Sequence, residues 1–356
     1  MLSRRVTLRD IAKTAKVHVT TVSRALRGDP SIPEKTRQKI QKIAEKLGYA
    51  PDPMVSALTV YRSKIRAAHY QATIIWATNN FTREGWTGTK TYNLYYKGCQ
   101  ERASQLGFKL EEFWLREPGL SWSRASKILA ARNISGLILS PQPRSKMRVR
   151  LDWQKFSAVS MGYSIAWPKL HVITNDQYNS MIAVVRHMWR RGYRRIGLVL
   201  GRRDDTRVNH GWSAGFLACQ QFWSQERHIP ILDDIGYEEH VPMKEARMKE
   251  WISHYQPDAI ISHPLTIRRL HKFGLRIPQD IGFACYTLQD APTLPDIAFS
   301  GIDENAKLTG STAVDMLIAM LHRGERGMPA VAQRISIEGS WREGNTLRPS
   351  AKSERG

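Results

Sequence analysis

The sequence predicts a small all-α helix-turn-helix module followed by a larger α/β body of two doubly wound subdomains. Three observations predict it. The first fifty residues carry three short helical patterns, with a tight turn between the first two. From residue 68 to residue 346, short apolar runs alternate with helical patterns. The charge is uneven: of a net +22 over 356 residues, residues 1–66 hold +10, from fifteen Lys/Arg and five Asp/Glu. A basic head ahead of a more balanced body points to a polyanionic partner, and a helix-turn-helix fits double-stranded DNA.

The first helix opens at Thr7, a capping residue with Asp10 three positions on, close to a capping box. Leu8, Ile11, Ala12 and Ala15 then share one helical face. Residues 16–18 interrupt the pattern. A second helix over 19–26 keeps Val22, Ala25 and Leu26 inside and turns Thr20, Thr21, Ser23 and Arg24 outward. Gly28 and Pro30 end it. Ser31 caps the third helix, which carries Pro33 in its first turn and Ile40, Ile43, Ala44 and Leu47 on its inner face. Small hydroxyls let a helix approach base edges, and an arginine fork matches guanine. Periodicity alone fits a purely structural three-helix bundle equally well. The local charge and the next segment favour DNA.

In that next segment, Asp52 is a helix cap, Pro53 suits a first helical position, and 54–61 makes two turns. So short a helix does not persist alone in water, so it is expected to order only on DNA or against its symmetry mate. Leu58 would then be an exposed aliphatic group on a basic linker, as a minor-groove wedge requires. The alternative is an ordinary linker with a stray leucine.

Residues 6–12 (VTLRDIA) and 19–24 (VTTVSR), with Thr36, Arg37, 47–51 (LGYAP) and Leu58, resemble the LacI/GalR family of bacterial transcriptional regulators. The resemblance implies that Val19, Thr20 and Arg24 read bases. It implies that Thr7, Leu8, Thr21, Ser23, Ser31, Thr36 and Tyr49 hold the sugar-phosphate backbone, and that Leu58 enters the minor groove. Two departures stand out. His18 occupies a position where Ser or Thr usually caps the helix. The hinge begins with Asp52 and Pro53, which puts a carboxylate beside phosphates.

In the body, strands are expected at 71–77, 109–114, 135–140, 157–161, 195–200, 258–262 and 280–285. Helices are expected at 92–106, 122–132, 177–191, 211–227, 242–255 and 303–322. This alternation indicates parallel sheets covered by helices. It is too long for one small sheet, so two subdomains with a cleft are expected, with ligands at the carboxyl ends of the strands. Residues 274–282 (GLRIPQDIG) and 214–216 (AGF) again resemble the LacI/GalR family, whose core is periplasmic-binding-protein-like. The resemblance implies chain crossovers near residues 173, 300 and 328. It places 1–50 in the DNA-binding domain, 51–67 in a hinge, and 68–172 with 301–328 in the first lobe. It places 173–299 with 329–346 in the second lobe. It also implies a homodimer and a small-molecule effector related to carbohydrates. Residues 347–356 read as a disordered tail.

The effector pocket departs from the family. Trp212 stands where an arginine usually precedes the 214–216 triplet, and 285–287 reads CYT where GYD is usual. An arginine–aspartate pair would suit polyhydroxyl or purine ligands. Trp212 instead offers a face for a sugar. Trp212 and Asp176 are the leading lining candidates. Asn79, Phe81, Trp86, Tyr163, Arg207, Asn209, Tyr237 and Thr287 follow. A ligand-independent DNA binder with a degenerate pocket is the alternative.

Residues 211–215 match the GxSxG pattern of hydrolases, with Asp233 or Asp234 and His240 or His254 following. The elbow needs its serine directly after a strand, whereas here the expected strand ends near Leu200. The chain is therefore not expected to be an enzyme. Absence of HExxH, a phosphate loop or a CxxC pair leaves no metal or cofactor expected. No apolar run reaches membrane-spanning length, there is no signal-like start, and Cys99, Cys219 and Cys285 lie far apart. A cytoplasmic, nucleoid-associated location is expected, with no membrane partner.

Overall fold

The computed structural model describes residues 6–26, 32–47, 49, 72–233 and 242–349. Ser31, the hinge at 51–67 with Leu58, and Tyr237 lie outside the described residues.

The N-terminal module has three helices: α1 (Leu8–Ala15), α2 (Val19–Leu26) and α3 (Glu34–Lys46). Ile11, Val22 and Ile40 are almost wholly buried and meet at its centre. The α1 start is locked as its sequence dictates: the Thr7 amide donates to Asp10 Oδ2 at 2.8 Å, and the Thr7 hydroxyl donates to the same oxygen at 2.7 Å. Lys16 ends α1 at φ 54°, a left-handed residue that turns the chain into α2. Asp10→Ala should cost about 1 kcal/mol of module stability. Faster hydrogen exchange confined to the α1 amides is the readout, and unchanged exchange would remove the cap from the account.

The body holds two six-stranded sheets. The first contains β1 (Ala72–Thr78), β2 (Phe108–Trp114), β3 (Gly136–Leu139), β5 (Ser157–Met161), β7 (His171–Asn175) and β13 (Arg334–Ile337). Their order is β13-β7-β5-β3-β1-β2, all parallel. A short side ribbon pairs β4 (Met147–Arg148) with β6 (Ile165–Trp167). The second sheet contains β8 (Ile196–Leu200), β9 (Leu232–Asp233), β10 (Ala259–Ser262), β11 (Gly282–Cys285), β12 (Gly301–Asp303) and β14 (Ser340–Arg342). Their order is β14-β12-β11-β10-β8-β9, parallel except for the β12–β14 pair. Strand alternation supplies two cores per sheet. In the first lobe Ile74 and Trp76 pack against α4 (Lys90–Gln105) and α11 (Ala306–Arg323). Ile75 and Ala77 pack on the other face, with Leu129 of α5 (Trp122–Ala131). In the second lobe Leu198 and Ile261 face α6 (Gln177–Arg190) and α8 (Gly211–Gln220). Val199 and Ile260 face α9 (Pro242–Tyr255) and α10 (Ile267–Lys272). The short helix α7 (Arg202–Arg207) follows β8.

The chain changes lobe after β7, after β12 and between β13 and β14. The first two passages fall a few residues beyond 173 and 300. The third falls near 338 rather than 328, so β13 joins the first sheet. β12 belongs to the second sheet, whereas residues 301–303 were expected in the first lobe. Both strands are only three or four residues long, and β13 alternates exposed with half-buried positions, so neither leaves an apolar run to read. The helix expected over 211–227 stops at Gln220, and a separate turn follows at Gln225–Arg227. Packing continues into the expected tail: Leu347 is 4% exposed within the second-lobe core, and the Arg348 amide donates to the Tyr193 hydroxyl at 2.9 Å.

Candidate functional site

Helix α2 turns its outer face to solvent because its apolar residues, Val22 and Ala25, are taken by the module core. Thr20 and Arg24 are exposed, while Val19, Thr21 and Ser23 are half-buried. His18 performs the capping that Ser or Thr would: the Thr20 amide donates to its Nδ1 at 3.4 Å, and the Thr20 hydroxyl lies 2.8 Å from the same nitrogen. The His18 carbonyl accepts from the Thr21 and Val22 amides at 2.9 and 3.2 Å. Thr7 is exposed and Leu8, Thr36 and Tyr49 are half-buried, with Leu8 and Tyr49 leaning on the module core. The Thr7 hydroxyl donates to Asp10 Oδ2, and it can turn that proton to a phosphate instead.

A cleft of about 690 Å³ lies between the lobes. It is walled by residues that follow β1, β3, β5, β8, β10, β11 and β12. Such a rim forms because parallel strands deliver their carboxyl ends to one edge. Of the sequence candidates, Phe81, Tyr163, Arg207, Trp212 and Thr287 line it. Asn79, Trp86, Asp176 and Asn209 do not line it. Asn79 is wholly buried, donating to Gln142 Oε1 at 2.8 Å and accepting from Arg116 Nε at 2.9 Å. Trp86 is in the core against Trp76 and Tyr96, its indole donating to Glu112 at 3.2 Å. Asp176 caps α6 by accepting from the Asn179 amide at 3.0 Å. Asn209 sits exposed in a turn at φ 55°.

Sequence reading missed Asn80, Thr91, Tyr92, His263, Asp290 and Glu304, all of which line the cleft. Glu304 had one readable signal, since it directly follows β12, but β12 itself was not recognised. Arg207 bridges the lobes: it donates to the Pro143 carbonyl at 3.0 Å, to the Gln142 carbonyl at 2.8 Å and to the Tyr92 hydroxyl. Trp212 packs against Tyr286 with ring centroids 4.4 Å apart. Burial holds the His263 imidazole down at about 4, and thus neutral. Burial pushes the Glu304 carboxyl up to about 7, with hydroxyls of Thr287 and Thr91 pulling the other way.

Glu304 makes stability depend on pH. Its folded value lies above the usual 4.5, so between those limits the fold binds a proton that the unfolded chain has released. The contribution is whole below the lower limit and is lost as pH rises through the upper one. Glu304→Gln should therefore flatten the fall in unfolding temperature between about pH 5 and about pH 8, and raise it by several degrees at the alkaline end. Parallel pH curves for the two proteins would refute this.

The GxSxG match does not build a hydrolase site. Ser213 lies inside α8, its hydroxyl donating to Asp205 Oδ2 at 2.6 Å, and His210 Nδ1 lies 3.0 Å from that same oxygen. The serine is thus engaged by the acid rather than by a base, and the arrangement pins α7 to α8.

A helix-turn-helix ahead of two doubly wound lobes with a ligand-sized cleft defines the class of ligand-responsive DNA-binding regulators. The family described as bacterial regulatory proteins, lacI family, matches residues 7–52, and the periplasmic binding protein-like domain matches residues 185–347. The chain thus carries a lacI-family DNA-binding domain ahead of a periplasmic binding protein-like domain, and its relatives are named transcriptional regulators. It is 24% identical to the transcriptional regulator GalR of Streptococcus thermophilus over 328 residues, 87% of this chain and 91% of that protein. It is 35% identical to the probable repressor ExuR of Bacillus subtilis over 101 residues, 27% of this chain and 30% of that protein. Among solved structures it resembles the regulator CelR in complex with cellobiose, at TM-score 0.54 and 18% identity over 96% of this chain and 100% of that one. It also resembles the lac repressor dimer bound to operator and the anti-inducer ONPF, at TM-score 0.52 and 20% identity over 97% of this chain and 100% of that one. These structural likenesses speak to the fold. No described helix is long and apolar enough to cross a membrane.

Proposed function

We propose that the chain is a homodimeric repressor that places α2 of each protomer in the major groove of a pseudo-palindromic operator. Val19, Thr20 and Arg24 read bases; Thr7, Leu8, Thr21, Ser23, Ser31, Thr36 and Tyr49 hold the backbone; Leu58 wedges the minor groove. The observation that carries this reading is the outward face of α2, with Arg24 exposed beside a hydroxyl row on the most basic part of the chain. Two half-sites are needed because one such helix buries little DNA surface. A carbohydrate-related effector in the cleft would bias one lobe arrangement, since only differential affinity shifts an equilibrium. The cleft, and the likeness to proteins solved with cellobiose and with operator, support the effector and DNA halves of this reading. A protein acting this way works on the cytoplasmic nucleoid. Selection of bound sequences from a random DNA pool tests it: an enriched inverted repeat is the expected outcome, and no enrichment overturns it.

A further inference from the structure

Residues 1–66 hold +10 of the net +22, so +12 lies in the rest of the chain. Much of that excess gathers at one end of the second lobe. Helix α6 starts at the cleft, where Gln177 lines the wall, so its last turn lies at the far end of the lobe. Strand β8 runs back from there to Gly201 at the cleft. Arg186, Arg190, Arg191, Arg194 and Arg195 occupy that far end, on α6 and the turn after it. Arg227 joins them from the turn that follows α8, where it lies against Trp189, and Arg348 joins them over the Tyr193 ring.

Carboxylates cancel little of this charge. Glu343 pairs with Arg191 at 2.6 Å. Asp258 is taken by the backbone amides of Arg194 and Arg195, at 2.7 and 3.0 Å. Glu226 accepts from the Ser224 hydroxyl at 2.9 Å and offsets one charge. Arg276 and Asp280, before β11, pair with each other. Arg186, Arg190, Arg227 and Arg348 make no ion pair among the described residues, and Arg186 and Arg190 are exposed. Arg194 donates to the Trp189 and Tyr193 carbonyls at 2.7 and 3.0 Å. Arg195 donates to the Gln256 and Glu226 carbonyls, each at 3.1 Å. A carbonyl fixes a guanidinium without neutralising it. Trp189 does the same, with Arg194 and Arg227 at 4.4 and 5.9 Å from its ring centroid. The forks are thus held in place with their charge intact, ready for phosphate oxygens, which accept such forks in pairs.

A single nucleic-acid strand would need a row of free aromatic faces for its bases. The two indoles here are already engaged: Trp189 stacks on Trp223 with centroids 5.6 Å apart and carries Arg194, and Phe216 meets Trp223 edge-on. Phe222, 89% exposed, is a single open ring beside them, too little for successive bases. What this surface can hold is a phosphate backbone whose bases are paired. We propose that the far end of the second lobe is a second DNA-binding surface, which grips the backbone of a duplex without regard to its sequence. A protein whose N-terminal module sits on one DNA segment thus bridges to another. This goes beyond the regulator reading, which engages only that module.

The test loads the full chain onto an immobilised duplex that carries the selected inverted repeat. A labelled second duplex without that repeat is then added at low salt. The loaded protein should capture it, and capture should fall steeply as salt rises. Arg186→Glu/Arg190→Glu, at two exposed positions, should lower capture about tenfold or more. Its affinity for the first duplex, its unfolding temperature and its mass in solution should stay unchanged. Arg186→Lys/Arg190→Lys, which keeps the charge, should retain most of the capture, and Phe222→Ser should retain all of it. No capture by the loaded protein overturns the proposal, as does capture undiminished in the glutamate variant. So does a single strand captured as well as a duplex of equal length, polyglutamate bound more tightly than the duplex, or loss of capture that follows a change of mass. The immobilised duplex need not be an operator for bridging to be seen. Failure to enrich an inverted repeat therefore counts against the regulator reading, and failure to bridge counts against this surface alone.

Discussion

Arg24→Ala should weaken operator binding by about 1–3 kcal/mol per half-site, and so by about 2–6 kcal/mol for a dimer on both. The loss should be selective. With a panel of operators altered one base pair at a time, the variant should become indifferent at a single position in each half-site while keeping its preferences elsewhere. The reason is geometric. Val22 and Ala25 bind α2 to the module core, so Arg24 projects from the opposite side, where it would face the groove that the proposed reading gives to this helix. A planar fork of donors discriminates guanine from the other bases, whereas the hydroxyls of Thr20 and Thr21 are less selective. The contrary outcome is recognisable. If affinity falls equally on every sequence and the salt dependence drops by about one counterion, Arg24 is a phosphate contact, and base reading passes to Val19 and Thr20.

Gly310→Val should destabilise the first lobe by about 3 kcal/mol, or prevent its folding. A Cβ at Gly310 would lie 2.1 Å from the Tyr95 carbonyl oxygen, and one at Gly98 would lie 2.0 Å from the Lys307 carbonyl oxygen. The backbones of α4 and α11 thus touch at reciprocal glycines. The Cys99 thiol lies 3.1 Å from the Gly310 carbonyl in the same seam. A branched side chain would push α11 off the sheet. Val314 and Leu317 would then lose their packing, along with the buried cluster in which Asn175 meets Tyr95 and Thr309. Denaturant unfolding measures the effect. Leu308→Ala, at a residue 55% exposed on the same helix, is the control and should change stability by less than about 0.5 kcal/mol. A tolerated valine would mean that the two helices can separate without cost.

Much of this molecule could be read locally. The capping box at Thr7 and Asp10, the inward Ile11, Val22 and Ile40, and the apolar runs that became β1, β3, β5, β8 and β10 are short-range patterns. Each declares itself within a few residues. The cleft was legible only in part. Asn79 was expected to line it, but strand alternation hands that task to Asn80 and buries Asn79 against Gln142. Trp86 and Asp176 carry ligand-like side chains, yet one fills a core and the other caps a helix. Nothing in their immediate neighbours distinguishes those uses. Glu304 and the edge strand β13 escaped because three or four residues of strand leave no periodicity to detect.

The basic head, the class of fold and the longer apolar strands and helices were set by the sequence alone, because capping, periodicity and charge act between near neighbours. Which lobe owns β12 and β13, which asparagine faces the cleft, and where Arg207 crosses between the lobes were decided by the tertiary structure. Those outcomes depend on distant parts of the chain being brought together, β13 beside β7 and Arg207 beside Gln142, and no local pattern encodes that meeting.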